Sequence, residues 1–291
     1  MKKSGTRKSQ FVQDTLERFL YWIEERHNVY RRREVLKQPA PWTDDPIMAG
    51  TFFTNPYREN DKTTAWFKNN MRGILKDQPE VFFATVAFRR FNSVQTGQIL
   101  LEEGLHLKWN EAKAYKLINE KIVKKGMPYL SGAYMIFAPK DSNKLEHLCR
   151  LNQDVYTQRE AHVRRMEKMQ TLEEGWRYLL NFSNVGPFIA YEWITDLRHT
   201  YLFDKALDTM TWCAFGPGAK RGLNRLLTGT PERNMPPNAI KHAVALLEIV
   251  QKRLNKMPKF ELREVEQSLC EFDKYERVRD GGKPKRWYTP R

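Results

Sequence analysis

The sequence predicts an all-α protein, and two observations support that prediction. Apolar residues recur at helical intervals along most of the chain, and no sustained apolar–polar alternation or Asn-Gly hairpin signal indicates strands. Hydrophobic residues make up 41% of the 291 residues and aromatic residues 12%. That composition is too apolar for a disordered chain and sufficient for a buried core.

The first predicted helix runs from about residue 11 to residue 36. Its apolar face is formed by Phe11, Leu16, Phe19, Leu20, Ile23 and Tyr30. Pro39 and Pro41 prevent the helix from continuing. Asp44 or Asp45 then caps a short helix that starts at Pro46. Further helices are predicted over residues 80–92, twice within 94–125, and over 143–170, 171–181, 187–198, 218–228 and 238–255.

No linker divides the predicted helices into separable domains. We predict a disordered basic arm over residues 1–10, one helical domain over 11–280, and a basic tail over 281–291. Two closely packed lobes within 11–280 are the alternative to a single domain.

The charge balance favours nucleic acid as the partner. Lys and Arg number 50 against 35 Asp and Glu, which gives a net charge of +15. A soluble chain this basic most commonly binds nucleic acid, and a charge that serves solubility alone is the alternative. No segment is long and apolar enough for a membrane span or a signal peptide. The three cysteines are widely spaced, which suits a reducing cytoplasm. The sequence therefore predicts a cytoplasmic protein that does not bind membranes.

Residues 181–190 have the pattern of a helix–hairpin–helix turn. Gly186 precedes a new helix whose free N–H groups suit a DNA phosphate, and Asn184 takes the place of the usual first glycine. An ordinary helix–helix turn is the alternative. Asp208 follows about 20 residues later and is the first candidate for a catalytic carboxylate beside an extruded base, with a helix-capping role as the alternative. Asp196 and Glu192 are the neighbouring candidates.

A glycine-rich segment at residues 215–222 is the strongest candidate for an anion-binding loop. Gly216 and Gly218 allow close backbone approach, while Lys220 and Arg221 add charge at a helix start. A plain helix connection is the alternative. The segment is not a P-loop, because Gly-x-x-x-x-Gly-Lys-Ser/Thr is absent from this sequence.

A set of polar residues lies at the ends of apolar elements, where arginines suit phosphate binding. Its members are Arg26, His27, Asn55, Arg58, Asp61, Arg89, Arg90 and Asn92. A surface ion pair is the simpler explanation for Arg58 and Asp61. The triplet Arg31, Arg32 and Arg33 is a candidate for DNA binding, or it stabilises the C-terminal end of its helix.

Several segments together carry a resemblance to a known family. They are residues 25–33, 41–47, 53–61, 89–92, 186–188 with 195–197, 216–222 and 270–275. They resemble the α-glutamyl/putrescinyl-thymine pyrophosphorylase family, which includes phage amino acid:DNA transferases and the helical domain associated with 5-hydroxymethyl-deoxyuridine DNA kinases. The resemblance implies an atypical helix–hairpin–helix fold like that of DNA glycosylases.

The same resemblance implies thymine hypermodification in phage DNA, in the host cytoplasm. An amine, either an amino acid or a polyamine, would replace the pyrophosphate of 5-pyrophosphoryloxymethyl-deoxyuridine in double-stranded DNA after base flipping. No cofactor is required; a divalent metal on the pyrophosphate is compatible, but the sequence indicates no metal site. The alternatives are the kinase-associated helical module, a non-catalytic DNA-binding protein, and a base-excising glycosylase, which residues 184–190 disfavour because they lack a lysine.

Overall fold

The structure, a computed structural model, describes residues 10–132, 137–284 and 286–288. The predicted basic arm therefore lies outside the described residues except for Gln10, and so does part of the predicted tail. In chain order the α-helices are α1 (Gln13–Tyr30), α2 (Pro46–Gly50), α3 (Lys62–Phe67), α4 (Gly73–Leu75), α5 (Glu80–Phe91), α6 (Val94–Glu102), α7 (Glu111–Lys121), α8 (Lys144–Thr157), α9 (Arg159–Met166), α10 (Leu172–Leu179), α11 (Pro187–Leu197), α12 (Pro217–Thr228), α13 (Ala239–Arg253) and α14 (Leu262–Arg279).

The all-α prediction is confirmed. Within the described ranges the only β-type pairing is an isolated bridge between Thr51 and Trp287. None of the described helices is long and apolar enough to cross a membrane. The chain divides into two compact units, of which unit 1 combines residues 1–61 with 210–291 and unit 2 is the continuous segment 62–209.

Unit 1 is built around α14, which the sequence analysis does not predict. Leu262, Val265, Leu269 and Phe272 recur at three- and four-residue intervals and are fully buried. Glu261 and Glu264 form a reciprocal cap at the start of the helix. Helix α1 packs against α14, and the ring of Phe19 meets that of Phe272 edge to face at 5.3 Å.

Helix α12 packs on α14 at a distance that only glycine permits. A side chain at Gly222 would meet the backbone carbonyl of Leu269, and one at Gly218 would meet Cys270. Salt bridges tie the same helices together: Asp273 accepts from Arg221 at 2.7 Å and from Arg225 at 3.1 Å. The glycine spacing therefore fixes the packing of two helices in unit 1.

Replacing Gly222 with alanine is expected to destabilise unit 1. The added methyl group must push α12 away from the Leu269 carbonyl, and overpacking of this kind costs about 1–3 kcal/mol. Urea unfolding followed by circular dichroism measures the change. Gly50→Ala is the matched control, because a side chain there meets nothing within 4 Å. Equal stability of the two variants would contradict the close-approach explanation.

Unit 2 has α5 as its central helix. Every residue from Val81 to Phe91 is buried. Phe88 stacks on Phe67 with ring centroids 4.6 Å apart, and Phe83 meets Trp109 edge to face. The predicted ranges for α5, α10 and α11 agree with the observed ones to within two residues.

The predicted single helix over residues 143–170 is wrong, because the structure contains α8 and α9 with a break at Gln158. Thr157 donates its hydroxyl to the carbonyl of Gln153, a bond that bends helices. Arg159 donates to the carbonyl of Tyr156 and so satisfies an end of α8.

Candidate functional site

Unit 1 contains a polar cluster of four residues from the predicted set: Arg26, His27, Asn55 and Asp61. Arg26 and His27 lie in the last turns of α1. Asn55 lies on the segment that follows α2, and Asp61 ends the 3₁₀ turn Arg58–Asn60. The segment that follows α2 contacts α1 through a hydrogen bond in which Arg26 Nη2 donates to the carbonyl oxygen of Phe53 at 3.2 Å.

Arg26 is a buried cation whose hydrogen bonding is incomplete. The residue is 6% exposed, and buried Nη1 has no hydrogen-bond partner among the described residues. Burial lowers the pKa of Arg26 to about 10, although the charge of Asp61 opposes the shift. A buried guanidinium with free donors favours an anionic or carbonyl-bearing ligand.

Asn55 is held in one orientation by its neighbours. Its Nδ2 donates to the carbonyl of Asn60 and to Asp61 Oδ1, both at 3.0 Å, and its backbone N–H donates to Asp61 Oδ1 at 2.8 Å. Gln267 donates to the Asn55 carbonyl. Because both partners of Nδ2 are acceptors, the other terminal atom is Oδ1, and this buried oxygen has no donor among the described residues.

Asp61 and His27 complete the polar cluster with shifted protonation equilibria. Burial raises the pKa of Asp61 to about 6, while the bonds from Asn55 and the charge of Arg26 oppose the shift. Burial and the charges of Arg31 and Arg26 lower the pKa of His27, so its ring is neutral at pH 7. The His27 ring lies edge to face with Tyr57 at 5.3 Å.

Arg58 is buried on the same segment, at the start of the 3₁₀ turn. Of the triplet beside α1, Arg32 pairs with Glu25 at 2.8 Å, and Arg33 pairs with Glu34 and lies over the ring of Trp42. Arg31 is exposed. The DNA-binding role of the triplet stays a prediction.

Arg89, Arg90 and Asn92 lie in unit 2 and have structural partners there. Arg89 pairs with Asp196 and also donates to Asn92 Oδ1 at 2.8 Å. Arg90 donates to Asn152 at 2.7 Å and lies 5.3 Å from the ring centre of Trp193. Their predicted role in holding a phosphate has not been tested.

The three predicted catalytic carboxylates also lie in unit 2. Asp196 has no exposed surface and accepts from both Arg72 and Arg89. The two oxygens of Asp208 accept from the backbone N–H groups of Leu172 and Glu173, which caps α10. Glu192 is buried on α11. Asp208 therefore caps a helix, which is the alternative role considered from the sequence, but the capped helix is α10, which precedes Asp208 in the chain.

The predicted hairpin joins α10 to α11. Asn184 has a φ of +59°, the conformation that allows asparagine to replace glycine there. Its amide approaches His147 and donates to the carbonyl of Phe137 at 2.9 Å. Gly186 is the N-cap of α11. The geometry is a helix–turn–helix, and its contact with DNA stays a prediction.

The helix predicted over residues 218–228 is observed as α12, which begins at Pro217 within the glycine-rich segment, and the anion-binding role of this segment stays a prediction. Gly216 is the N-cap, and its N–H donates to Glu266 at 3.2 Å instead of pointing to a free anion site. Gly218 faces α14, and Arg221 pairs with Asp273. The backbone N–H of Lys220 donates to the carbonyl of Gly216 at 3.0 Å, its side chain is half-buried, and its predicted anion-binding role stays a prediction.

Comparison with known proteins gives the family. The chain matches the family model described as "5-hmdU DNA kinase, helical domain" over residues 13–283. The chain belongs to this family. A relative named "5-hmdU DNA kinase", from Bacillus phage SP10, is 25% identical over 285 residues. The match covers 88% of this chain and 44% of the relative, so the chain spans less than half of that protein's length. No solved structure matches the chain.

Membership of the 5-hmdU DNA kinase helical-domain family confirms the coarser part of the predicted resemblance. The matched range includes every residue of the polar cluster. The specific assignment to pyrophosphorylases and amino acid:DNA transferases stays a prediction.

Two residues of α14 that support the polar cluster are missing from the predicted set. Gln267 holds the Asn55 carbonyl, and Glu271 accepts from the backbone N–H of Thr54 at 3.0 Å. Lys274 in turn pairs with Glu271 at 2.7 Å. The helical spacing of the apolar residues in 262–272 is the signal that would have placed them on a common element.

The pKa of Asp61 predicts a pH-dependent stability. A folded-state pKa of about 6 exceeds the ordinary value of 3.8. Protonation of Asp61 therefore contributes fully to the unfolding free energy below about pH 4, and this contribution is lost as the pH rises through 6. Asp61→Asn cannot ionise, so its unfolding free energy relative to the native protein should rise from pH 4 to pH 7. Urea unfolding at each pH measures the difference, and a fall over that range would contradict the prediction.

Within residues 10–132, 137–284 and 286–288, no group of three or more His, Cys, Asp and Glu side chains is arranged to hold a metal ion.

Proposed function

We propose that the chain replaces the pyrophosphate of 5-pyrophosphoryloxymethyl-deoxyuridine in DNA with an amine, which is either an amino acid or a polyamine. Family membership supports DNA with a modified thymine as the substrate class, and the relative's name supports a place in phage DNA modification. The net charge of +15 supports attraction to DNA phosphates.

The observation that carries this proposal is the Arg26 guanidinium. It is 6% exposed, and its buried Nη1 has no hydrogen-bond partner among the described residues. An anionic ligand such as pyrophosphate would neutralise this cation and occupy its donors. Arg58, buried on the same segment as Asn55, adds a second cation.

In the proposed reaction the amine nitrogen forms a bond to the exocyclic methylene carbon of the base. The bond from that carbon to the pyrophosphate oxygen breaks, and pyrophosphate leaves with the electron pair. Arg26 and Arg58 stabilise the charge that develops on the leaving oxygen. The amine loses one proton, for which Asp61 is the acceptor we propose.

A second candidate is favoured by the description of the matching family. The chain would then hold DNA that contains 5-hydroxymethyl-deoxyuridine, while a nucleotide-binding part supplies the phosphoryl group from ATP. The absence of a P-loop pattern from this sequence is consistent with that division of labour.

One experiment separates the two candidates. The protein is incubated with DNA that carries the pyrophosphorylated base and a pool of amines, and separately with DNA that carries 5-hydroxymethyl-deoxyuridine and ATP. Nucleoside mass spectrometry then identifies the product. An amine adduct in the first reaction supports the transferase; a phosphorylated base in the second supports the kinase. Unchanged nucleosides in the first reaction would overturn the transferase proposal.

DNA binding itself should depend strongly on salt. Lysines and arginines that neutralise phosphates release counterions, so affinity is expected to fall at least tenfold between roughly 50 and 200 mM salt. Fluorescence anisotropy with a labelled duplex measures the dissociation constant at each concentration. Binding that does not change over this range would remove the role assigned to the net charge.

A further inference from the structure

We infer that Asn55 is a specificity-determining residue that accepts a hydrogen bond from N3–H of the modified pyrimidine. The inference rests on the proposed function, because it takes DNA with a 5-substituted deoxyuridine as the ligand. It adds a base-reading group to a cluster whose other role is to bind an anion.

The first step is the fixed orientation of the Asn55 amide. Two acceptors, the Asn60 carbonyl and Asp61 Oδ1, hold Nδ2 at 3.0 Å each. The amide cannot turn over without placing its oxygen against both acceptors. Oδ1 is therefore committed to the opposite direction, in a residue that is only 4% exposed.

The second step is that Oδ1 needs a donor. No described residue supplies one, and a buried carbonyl oxygen without a partner is destabilising. An ionised pyrophosphate offers only acceptors, so the anion that suits Arg26 does not suit Asn55. The ligand must carry an N–H or O–H group as well as a negative charge.

A 5-pyrophosphoryloxymethyluracil has both features on one edge. Going round its ring, N3–H, the C4 carbonyl and the C5 substituent follow one another. Asn55 Oδ1 can accept from N3–H while Arg26 donates toward the C4 carbonyl or the neighbouring phosphate. In cytosine, N3 carries a lone pair instead of a hydrogen, so the same oxygen would repel it. The geometry thus favours uracil-type over cytosine-type bases.

The incoming amine is the other source of N–H donors. The Arg26 guanidinium repels an ammonium group, whereas the Asp61 carboxylate beside Asn55 attracts one, so the charges of the cluster do not by themselves decide between the two donors. Binding measurements without amine distinguish the two sources.

The test uses three DNA duplexes, each with one central modified base: 5-hydroxymethyluracil, its N3-methyl derivative, or 5-hydroxymethylcytosine. Each base faces an abasic site, so differences in base pairing do not enter. Competition fluorescence anisotropy with the native protein, without amine, measures the three affinities. We expect the N3-methyl and cytosine duplexes to bind about tenfold more weakly, which is the effect of losing one buried hydrogen bond.

Asn55→Ala should bring the three affinities within about twofold of one another, with Asn234→Ala, an exposed asparagine of unit 1, as the matched control. If Asn55→Ala fails to fold by circular dichroism, the three duplexes on the native protein decide alone. Equal binding of the three duplexes by the native protein would overturn the inference, as would discrimination that appears only when amine is added.

The outcomes also separate this inference from the proposed reaction. Amine transfer without discrimination at N3 would leave the transferase proposal intact and reject the role of Asn55. Discrimination at N3 without amine transfer would support the role of Asn55 and reject the transferase proposal.

Discussion

Replacing Arg26 with methionine is expected to lower turnover about a hundredfold or more while the protein keeps or gains stability. The guanidinium is desolvated and has unpaired donors, so its removal relieves an unfavourable burial in the free protein. The same removal takes away a donor that would stabilise charge on the leaving group. Turnover on modified DNA and the urea midpoint, measured on the same samples, test both parts.

Arg18→Met is the matched control on the same helix. Arg18 pairs with Glu276 at 2.9 Å, and that carboxylate is 2% exposed in its side chain. Losing Arg18 leaves a buried carboxylate with fewer partners, so this variant should lose stability and keep its turnover. Arg26→Met with full turnover would contradict the anion-binding role of Arg26, and a large loss of its stability would contradict the account of its burial.

The second large effect is expected at Asp196. Its carboxylate joins Arg72 and Arg89, whose side chains are 3% and 2% exposed, in a buried group with two cations and one anion. Asp196→Asn removes the negative charge that both arginines contact. Removing one partner of a buried ion pair costs about 3–5 kcal/mol, so we expect a loss of that order in the unfolding free energy.

Urea unfolding of Asp196→Asn measures the loss, with Asp204→Asn as the control because Asp204 is exposed. A variant of native stability that has lost its turnover would instead support the catalytic role predicted for Asp196 from the sequence. A structural role for Asp196 therefore predicts a loss of stability, whereas a catalytic role predicts native stability with a loss of turnover.

Local patterns predicted most of the helices, because periodicity and capping act over a few residues. The start of α11 at Pro187 and the cap at Asp45 are of this kind. The break at Gln158 and the whole of α14 were missed. In α14, charged residues are interleaved with the apolar stripe, as at Glu266 and Asp273, and partners elsewhere in the chain bury them.

The candidate site was less predictable, because its chemistry depends on distant partners. Arg26 and Arg89 are the same residue type at similar places near a helix end. The carboxylate of Asp196, 107 residues further along the chain, accepts hydrogen bonds from Nε and Nη2 of Arg89. In Arg26, by contrast, Nη1 has no hydrogen-bond partner among the described residues. Gly218 was interpreted as anion-binding for the same reason, since the sequence does not show that α14 lies against it.

Unit 1 draws its residues from both ends of the sequence, with the whole of unit 2 between them. During synthesis, unit 2 can begin to fold once residue 209 has left the ribosome. Asn55 and Thr54 must wait for Gln267 and Glu271, more than two hundred residues later. A nascent chain halted near residue 261 would therefore carry a finished second unit and an unfinished polar cluster, and a protease would be expected to remove the first 61 residues well before it attacks the middle of the chain.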